Sequence, residues 1–135
     1  MISNHISLEE AIESPTALRH GIKNVPNEEE LEAMKFVAEH LFEPIREWYD
    51  KPIRINSFYR CRELNKAVKG SLTSGHVLGN SIDITGGNKK ENQKIFSFIK
   101  ESGLFYDQVI NEYDFTWIHI SLKKSGNRKQ ILVIK

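Results

Sequence analysis

Apolar residues recur at helical spacing through one long stretch of the chain, at Leu31, Met34, Val37, Ala38, Leu41, Phe42, Ile45 and Trp48. The pattern predicts an amphipathic helix with this stripe against a core. Asn27-Glu28-Glu29-Glu30 has the form of a capping box at its start, and Pro44, which cannot donate to the carbonyl four residues back, is expected to kink or restart it. A second helix is predicted from the cap at Asn88-Lys89-Lys90-Glu91 through Ile95, Phe96, Phe98 and Ile99 to a stop at Gly103. Shorter helices are expected after Ser7-Leu8-Glu9-Glu10, stopped by Pro15, and around Glu63 to Val68, closed by Gly70. Pro15 to Pro26 reads as irregular.

Elsewhere the period is two. Ile53-Arg54-Ile55-Asn56 reads as a strand with both isoleucines buried, and further strands are predicted at Ser81 to Thr85, Asp107 to Glu112, Trp117 to Leu122 and Gln130 to Ile134. A loop at Tyr113 to Thr116 and a turn at Ser125-Gly126-Asn127 separate the last three. Helices first, then strands joined mostly as hairpins, predict an α+β domain with helices packed on an antiparallel sheet. No repeat or low-complexity linker interrupts residues 1–135, which read as one domain.

The alternation places chemistry on one face of that sheet. Ile82 and Ile84 point one way and Ser81, Asp83 and Thr85 the other; Ile118, Ile120 and Leu122 oppose Trp117, His119 and Ser121. If the two strands share a sheet, Asp83 and His119 can meet on its open face. His76 would then be delivered by the loop from Ser74 that turns at Gly79. Two imidazoles and a carboxylate, with a fourth position left to water, form a ligand set of catalytic zinc sites.

Composition narrows the partners. Lys plus Arg number 19 against 18 Asp plus Glu, a net charge of +1, so no broad field gathers nucleic acid or anionic membrane. Lys89-Lys90 and Lys123-Lys124 are short and lack interleaved base-stacking aromatics, so a nucleic-acid role is not expected. Cys61, the single cysteine, cannot form an intrachain disulfide and reads as a structural thiol between Arg60 and Arg62. The N-terminus lacks basic and apolar signal regions, and no run approaches the ~20 apolar residues of a membrane span. Cytoplasmic synthesis as a monomer, without a signal peptide or membrane insertion, is therefore the expectation. A substrate outside the cell would be reached on lysis or by another route.

A longer series of residues carries a family resemblance. Ser-Phe-Tyr-Arg at 57–60, Leu-Asn-Lys-Ala-Val at 64–68, Gly-Ser at 70–71, Ser-x-His at 74–76, Gly79, Asp83 and Trp-x-His at 117–119 occur in one order. In that order they resemble the M15 family of zinc peptidases, which includes D-alanyl-D-alanine carboxypeptidases and the L-alanyl-D-glutamate endopeptidases of bacteriophage lysis enzymes. The metal-binding fold is also similar to the signalling domain of hedgehog proteins. The resemblance spans about residues 27–122, and the preceding stretch is similar to the leading segment of phage-type members.

Position by position, the resemblance makes His76, Asp83 and His119 the ligands of one zinc ion. It implies a peptidase acting on the stem peptides of bacterial peptidoglycan, either between L-Ala and D-Glu or on terminal D-Ala-D-Ala, of the phage endolysin type. Arg60 occupies the family's Tyr-Arg position, where the guanidinium binds a substrate carboxylate or steadies an oxyanion. Ser74 is implied in substrate or ligand hydrogen bonding, and Trp117 as a wall of the cleft. The sequence also departs from family patterns. Thr116 stands where many members carry an acid three residues before the last ligand, which leaves Glu112 as the implied general base and Asp114 as the alternative. Phe58 replaces a common glycine, Ser81 a common alanine, and Trp117 a histidine found in some relatives. The contrasting reading is an inactive, zinc-stabilised binding or virion structural module, and a carboxylate base facing the metal separates the two.

Overall fold

The computed structural model describes residues 1–135. The N-terminal half is mainly helical: α1 (Leu8–Ile12), α2 (Pro15–His20), α3 (Glu28–Val37), a π-helical turn (Ala38–Phe42) and α4 (Glu43–Tyr49). Strand β1 (Arg54–Ser57) follows, then α5 (Arg62–Ala67), α6 (Gly75–Leu78), β2 (Ser81–Thr85) and α7 (Lys89–Glu101). The chain ends in β3 (Gln108–Glu112), β4 (Trp117–Ser121) and β5 (Gln130–Ile134). No helix is long and apolar enough to cross a membrane.

The five strands form one sheet in the order β1-β2-β4-β3-β5. Its helix-covered face carries Ile82, Ile84, Val109, Ile118 and Ile120, all fully buried with Met34, Val37, Leu41, Ile45, Ile95 and Ile99. Burying an isoleucine contributes about 2 kcal/mol relative to leaving it exposed. A one-residue slip of β2 and β4 would expose four of them, a cost of roughly 8 kcal/mol, on the scale of a whole domain's stability. The core thereby fixes which residues face the other side, Asp83 and His119 among them. The architecture is α+β, with α3, α4 and α7 on one face of the sheet.

Three expectations are corrected. The sheet is mixed: β5 runs parallel to β3 and does not return as a hairpin beside β4. The connection over residues 122–129 is longer than a hairpin turn and passes the start of β3, where the Asp107 side chain accepts from Arg128 N–H (2.9 Å), Nε (3.0 Å) and Nη2 (2.7 Å). Pro15 opens α2 where a stop was expected. Ser14 caps it by accepting from Ala17 N–H, and proline in the first turn gives up only an N–H that has no helical partner there. Trp48 leaves the core stripe and is 47% exposed, while Tyr49 is buried. The π turn before Pro44 inserts one extra residue into the helical phase, so Tyr49 takes the inward place and Trp48 stacks on Phe98 at 4.1 Å.

Candidate metal centre and cleft

The open face of the sheet meets α6 in a cleft of about 520 Å³ lined by Arg60, Ser74, His76, Asp83, Ile110, Glu112, Tyr113, Trp117 and His119, among others. Asp83 and His119 are register partners on β2 and β4. His76 comes from α6, where a loop had been expected. Ser74 caps this helical turn and Gly79 ends it at φ +82, where a Cβ would lie 2.6 Å from the Glu30 carbonyl oxygen on α3. Glycine meets both demands, the left-handed backbone and the close approach. The turn is thus pinned against α3, and His76 is held over β2.

The three side chains converge on one point. His76 Nε2 lies 3.2 Å from Asp83 Oδ2, and His119 Nδ1 lies 2.9 Å from Asp83 Oδ1. The two imidazole rings are 5.2 Å apart and nearly perpendicular. One ligand atom from each residue falls within 4.8 Å of the others. Donors at 2.0–2.1 Å around a tetrahedral ion are separated by roughly 3.3 Å, so small shifts admit zinc. The tautomer of His76 also fits. The Phe58 carbonyl, 2.7 Å from Nδ1, can only accept, so Nδ1 donates to it and Nε2, on the Asp83 side, is the nitrogen left to bind a metal. Burial alone would raise the Asp83 pKa, but hydrogen bonding to His119 and His76 outweighs it and holds the carboxyl well below the usual carboxylate range. The donor set is therefore two imidazoles and an ionised carboxylate, a set that could hold zinc.

Glu112 and Trp117 are paired where the β3–β4 hairpin closes, and Trp117 Nε1 donates to Glu112 Oε2 at 2.7 Å. The hairpin loop is strained: Tyr113, Asp114 and Phe115 all have positive φ, each costing about 1 kcal/mol or more in a residue with a side chain. It is held by Phe115 N–H donating to Asn111 Oδ1 (2.6 Å) and by the fully buried Asn92, which donates to the Phe115 carbonyl (2.9 Å). Asp114 projects to solvent outside the cleft and pairs with Lys89 at 2.8 Å. The two acids considered as bases thus occupy different places, Glu112 on the cleft wall and Asp114 beyond it.

Arg60 lines the flank opposite Glu112's strand. Its Nη2 donates to Ser74 Oγ at 3.2 Å, while its buried Nε has no partner. Burial pushes the guanidinium pKa down, opposed by the carboxylates of Asp83 and Glu112. Ser74 therefore serves both as the cap of α6, accepting from His76 N–H, and as a rest for Arg60. Cys61 caps α5, its sulfur accepting from Leu64 N–H at 3.4 Å. Tyr113, not among the expected site residues, also borders the cleft with its ring 5.1 Å from Trp117. Its position depends on the left-handed loop, which no local residue pattern announces.

A family model described as Peptidase M15 matches residues 4–121. The chain belongs to this family, whose members are zinc-dependent metallopeptidases. The matched region takes in the N-terminal helices as well as the cleft and ends with β4; β5 lies beyond it. Comparison with curated proteins finds no match.

Proposed function

We propose that the protein is a zinc-dependent hydrolase of the peptide stems of bacterial peptidoglycan, a monomer of the phage endolysin type that reaches its substrate on lysis or by another route. The observation that carries this reading is one cleft combining the His76, Asp83 and His119 donors, the Glu112 carboxylate and the Arg60 guanidinium. Zinc bound there would supply positive charge that lowers the pKa of a bound water toward about 7 and polarises the scissile carbonyl.

The chain's own side chains supply the rest. His76 would bind the metal through Nε2 because its other nitrogen is committed to the Phe58 carbonyl. Asp83 contributes charge as well as a ligand atom. Glu112, oriented by Trp117 through Oε2, has its second oxygen available to take a proton from the attacking water and return it to the leaving amine. Arg60, steadied by Ser74, offers the cleft-facing edge of its guanidinium to a substrate carboxylate, and Trp117 walls the cleft beside Glu112. Both candidate bonds, L-Ala-D-Glu and D-Ala-D-Ala, place a carboxylate on the leaving-amine side, so Arg60 serves either. Mass spectrometry of purified muropeptides incubated with zinc-loaded protein tests the proposal. Fragments from one peptide bond are expected, and intact muropeptides with a full zinc equivalent bound would favour the structural-module reading.

A further inference from the structure

The face of the sheet that carries Asp83 and His119 does not stop at β3. β5 pairs with β3 so that Gln130, Leu132 and Ile134 lie opposite Gln108, Ile110 and Glu112, and these three β3 residues all line the cleft. Side chains opposite one another in a pleated sheet share a face, so the three β5 residues carry the cleft floor outward, roughly 10 Å from the strand that bears His119. Leu132 is 38% exposed and Ile134 41%. Beside them Gln108 Nε2 donates to Gln130 Oε1 at 3.0 Å. The strip offers two aliphatic side chains and a hydrogen-bonded amide pair, and none of its β5 side chains is ionisable.

This strip is also preorganised. Gln130 N–H donates to the Asp107 carbonyl at 2.9 Å and Tyr113 N–H to the Ile134 carbonyl at 2.8 Å, which ties down both ends of β5, while Asp107 grips Arg128 just before it. Exposed aliphatic groups on a fixed floor continuous with a cleft are suited to substrate contact, because little ordering is required when it binds.

Charge determines which end of the substrate lies there. Arg60 follows β1, at the far edge of the sheet from β5, and takes the carboxylate on the leaving-amine side. The acyl side of the scissile bond then runs across β4 and β3 toward β5. The two candidate bonds differ on this side. Before L-Ala-D-Glu lies a lactyl-linked amino sugar, uncharged in its N-acetyl form, with an apolar ring face and amide and hydroxyl groups. Before D-Ala-D-Ala lies a diamino acid carrying charge.

Resting on the peptidase reading, we propose that Gln130, Leu132 and Ile134 form an acyl-side subsite for an uncharged, sugar-linked acyl group, and that they select this group over a diamino acid. The aliphatic pair meets the apolar ring face and N-acetyl methyl, and the glutamine pair exchanges hydrogen bonds with the amide and hydroxyls.

The test is a titration of the zinc-loaded full chain, labelled at leucine and isoleucine methyls, with N-acetylmuramyl-L-alanine and separately with N-acetyl-L-lysyl-D-alanine. The muramyl compound is expected to shift the Leu132 and Ile134 methyl signals saturably and to bind more tightly than the lysyl compound. Leu132→Asp, or Ile134→Ser as a milder change, should weaken its binding about tenfold with the remaining methyl spectrum intact. Equal or tighter binding of the lysyl compound, or muramyl binding that leaves both methyl signals still, overturns the subsite. So does a response of those methyls to protein dilution alone, since a second copy of the chain would then cover β5. Stem-peptide cleavage is followed separately. Cleavage with no Leu132 or Ile134 response removes only the subsite, whereas the response without cleavage removes only the peptidase reading.

Discussion

Replacing Asp107 by asparagine should loosen β5 and make the loss depend on pH. The Asp107 side chain is buried and accepts three hydrogen bonds from Arg128, at 2.7, 2.9 and 3.0 Å. Asparagine retains only one acceptor oxygen, and its amide donors face the guanidinium. Leaving such donors without acceptors in a buried place costs about 1–3 kcal/mol. With a urea dependence of about 2 kcal/mol/M, the unfolding midpoint at pH 7 should fall by roughly 1 M. The sign of the pH effect follows from the carboxyl. Hydrogen bonds from Arg128 hold its pKa below the usual range despite burial, so its contribution is present above the unfolded value of about 4 and disappears as pH falls through the lowered folded value. Parent and Asp107→Asn should therefore differ at pH 7 and converge in acid. Urea unfolding at both pH values, with hydrogen exchange at Leu132, measures this. Equal midpoints at pH 7 would show that Arg128 and Asp107 do not hold the strand.

Three further substitutions address the cleft. Glu112→Gln should keep zinc and fold while losing on the order of 10²-fold or more in kcat, measured on a cleaved muropeptide; if Asp114→Asn is dead and Glu112→Gln is not, the base is Asp114. Arg60→Lys should lower kcat/KM despite the retained charge, because an ammonium cannot replace the planar fork; steady-state kinetics with a normal circular dichroism spectrum checks this. Gly79→Ala should destabilise the fold by about 1 kcal/mol or more and weaken zinc binding, since a Cβ at φ +82 would press on the Glu30 carbonyl 2.6 Å away; calorimetric zinc titration beside thermal unfolding reads both effects.

The meeting of Asp83 with His119 was legible because period-two alternation assigns faces without knowledge of the neighbouring strand, and the isoleucines enforce the register. His76 was legible as a partner but not as part of a helical turn, since α6 depends on Ser74 and Gly79 acting together and on contact with α3. Helix α2 had its signals in view: Ser14 before Pro15, and Gly21 in the left-handed region after His20. Reading Pro15 only as a breaker concealed them. The outward turn of Trp48 follows from the π turn, and the parallel placement of β5 from the grip of Asp107 on Arg128. Hydrophobic periodicity encodes neither the π turn nor the ion pair.

Hydrolysis of a defined stem peptide in ¹⁸O-labelled water tests the proposed chemistry most directly. Zinc-loaded protein should place one ¹⁸O in the newly formed carboxyl of the acyl-side fragment, whose mass names the bond. A chelator should abolish the product and added zinc restore it, while zinc-loaded Glu112→Gln leaves the peptide essentially intact over the same period. Intact peptide in the presence of parent protein carrying a full equivalent of zinc, or product formation that persists unchanged after the metal is removed, would contradict a zinc peptidase built on His76, Asp83, His119 and Glu112.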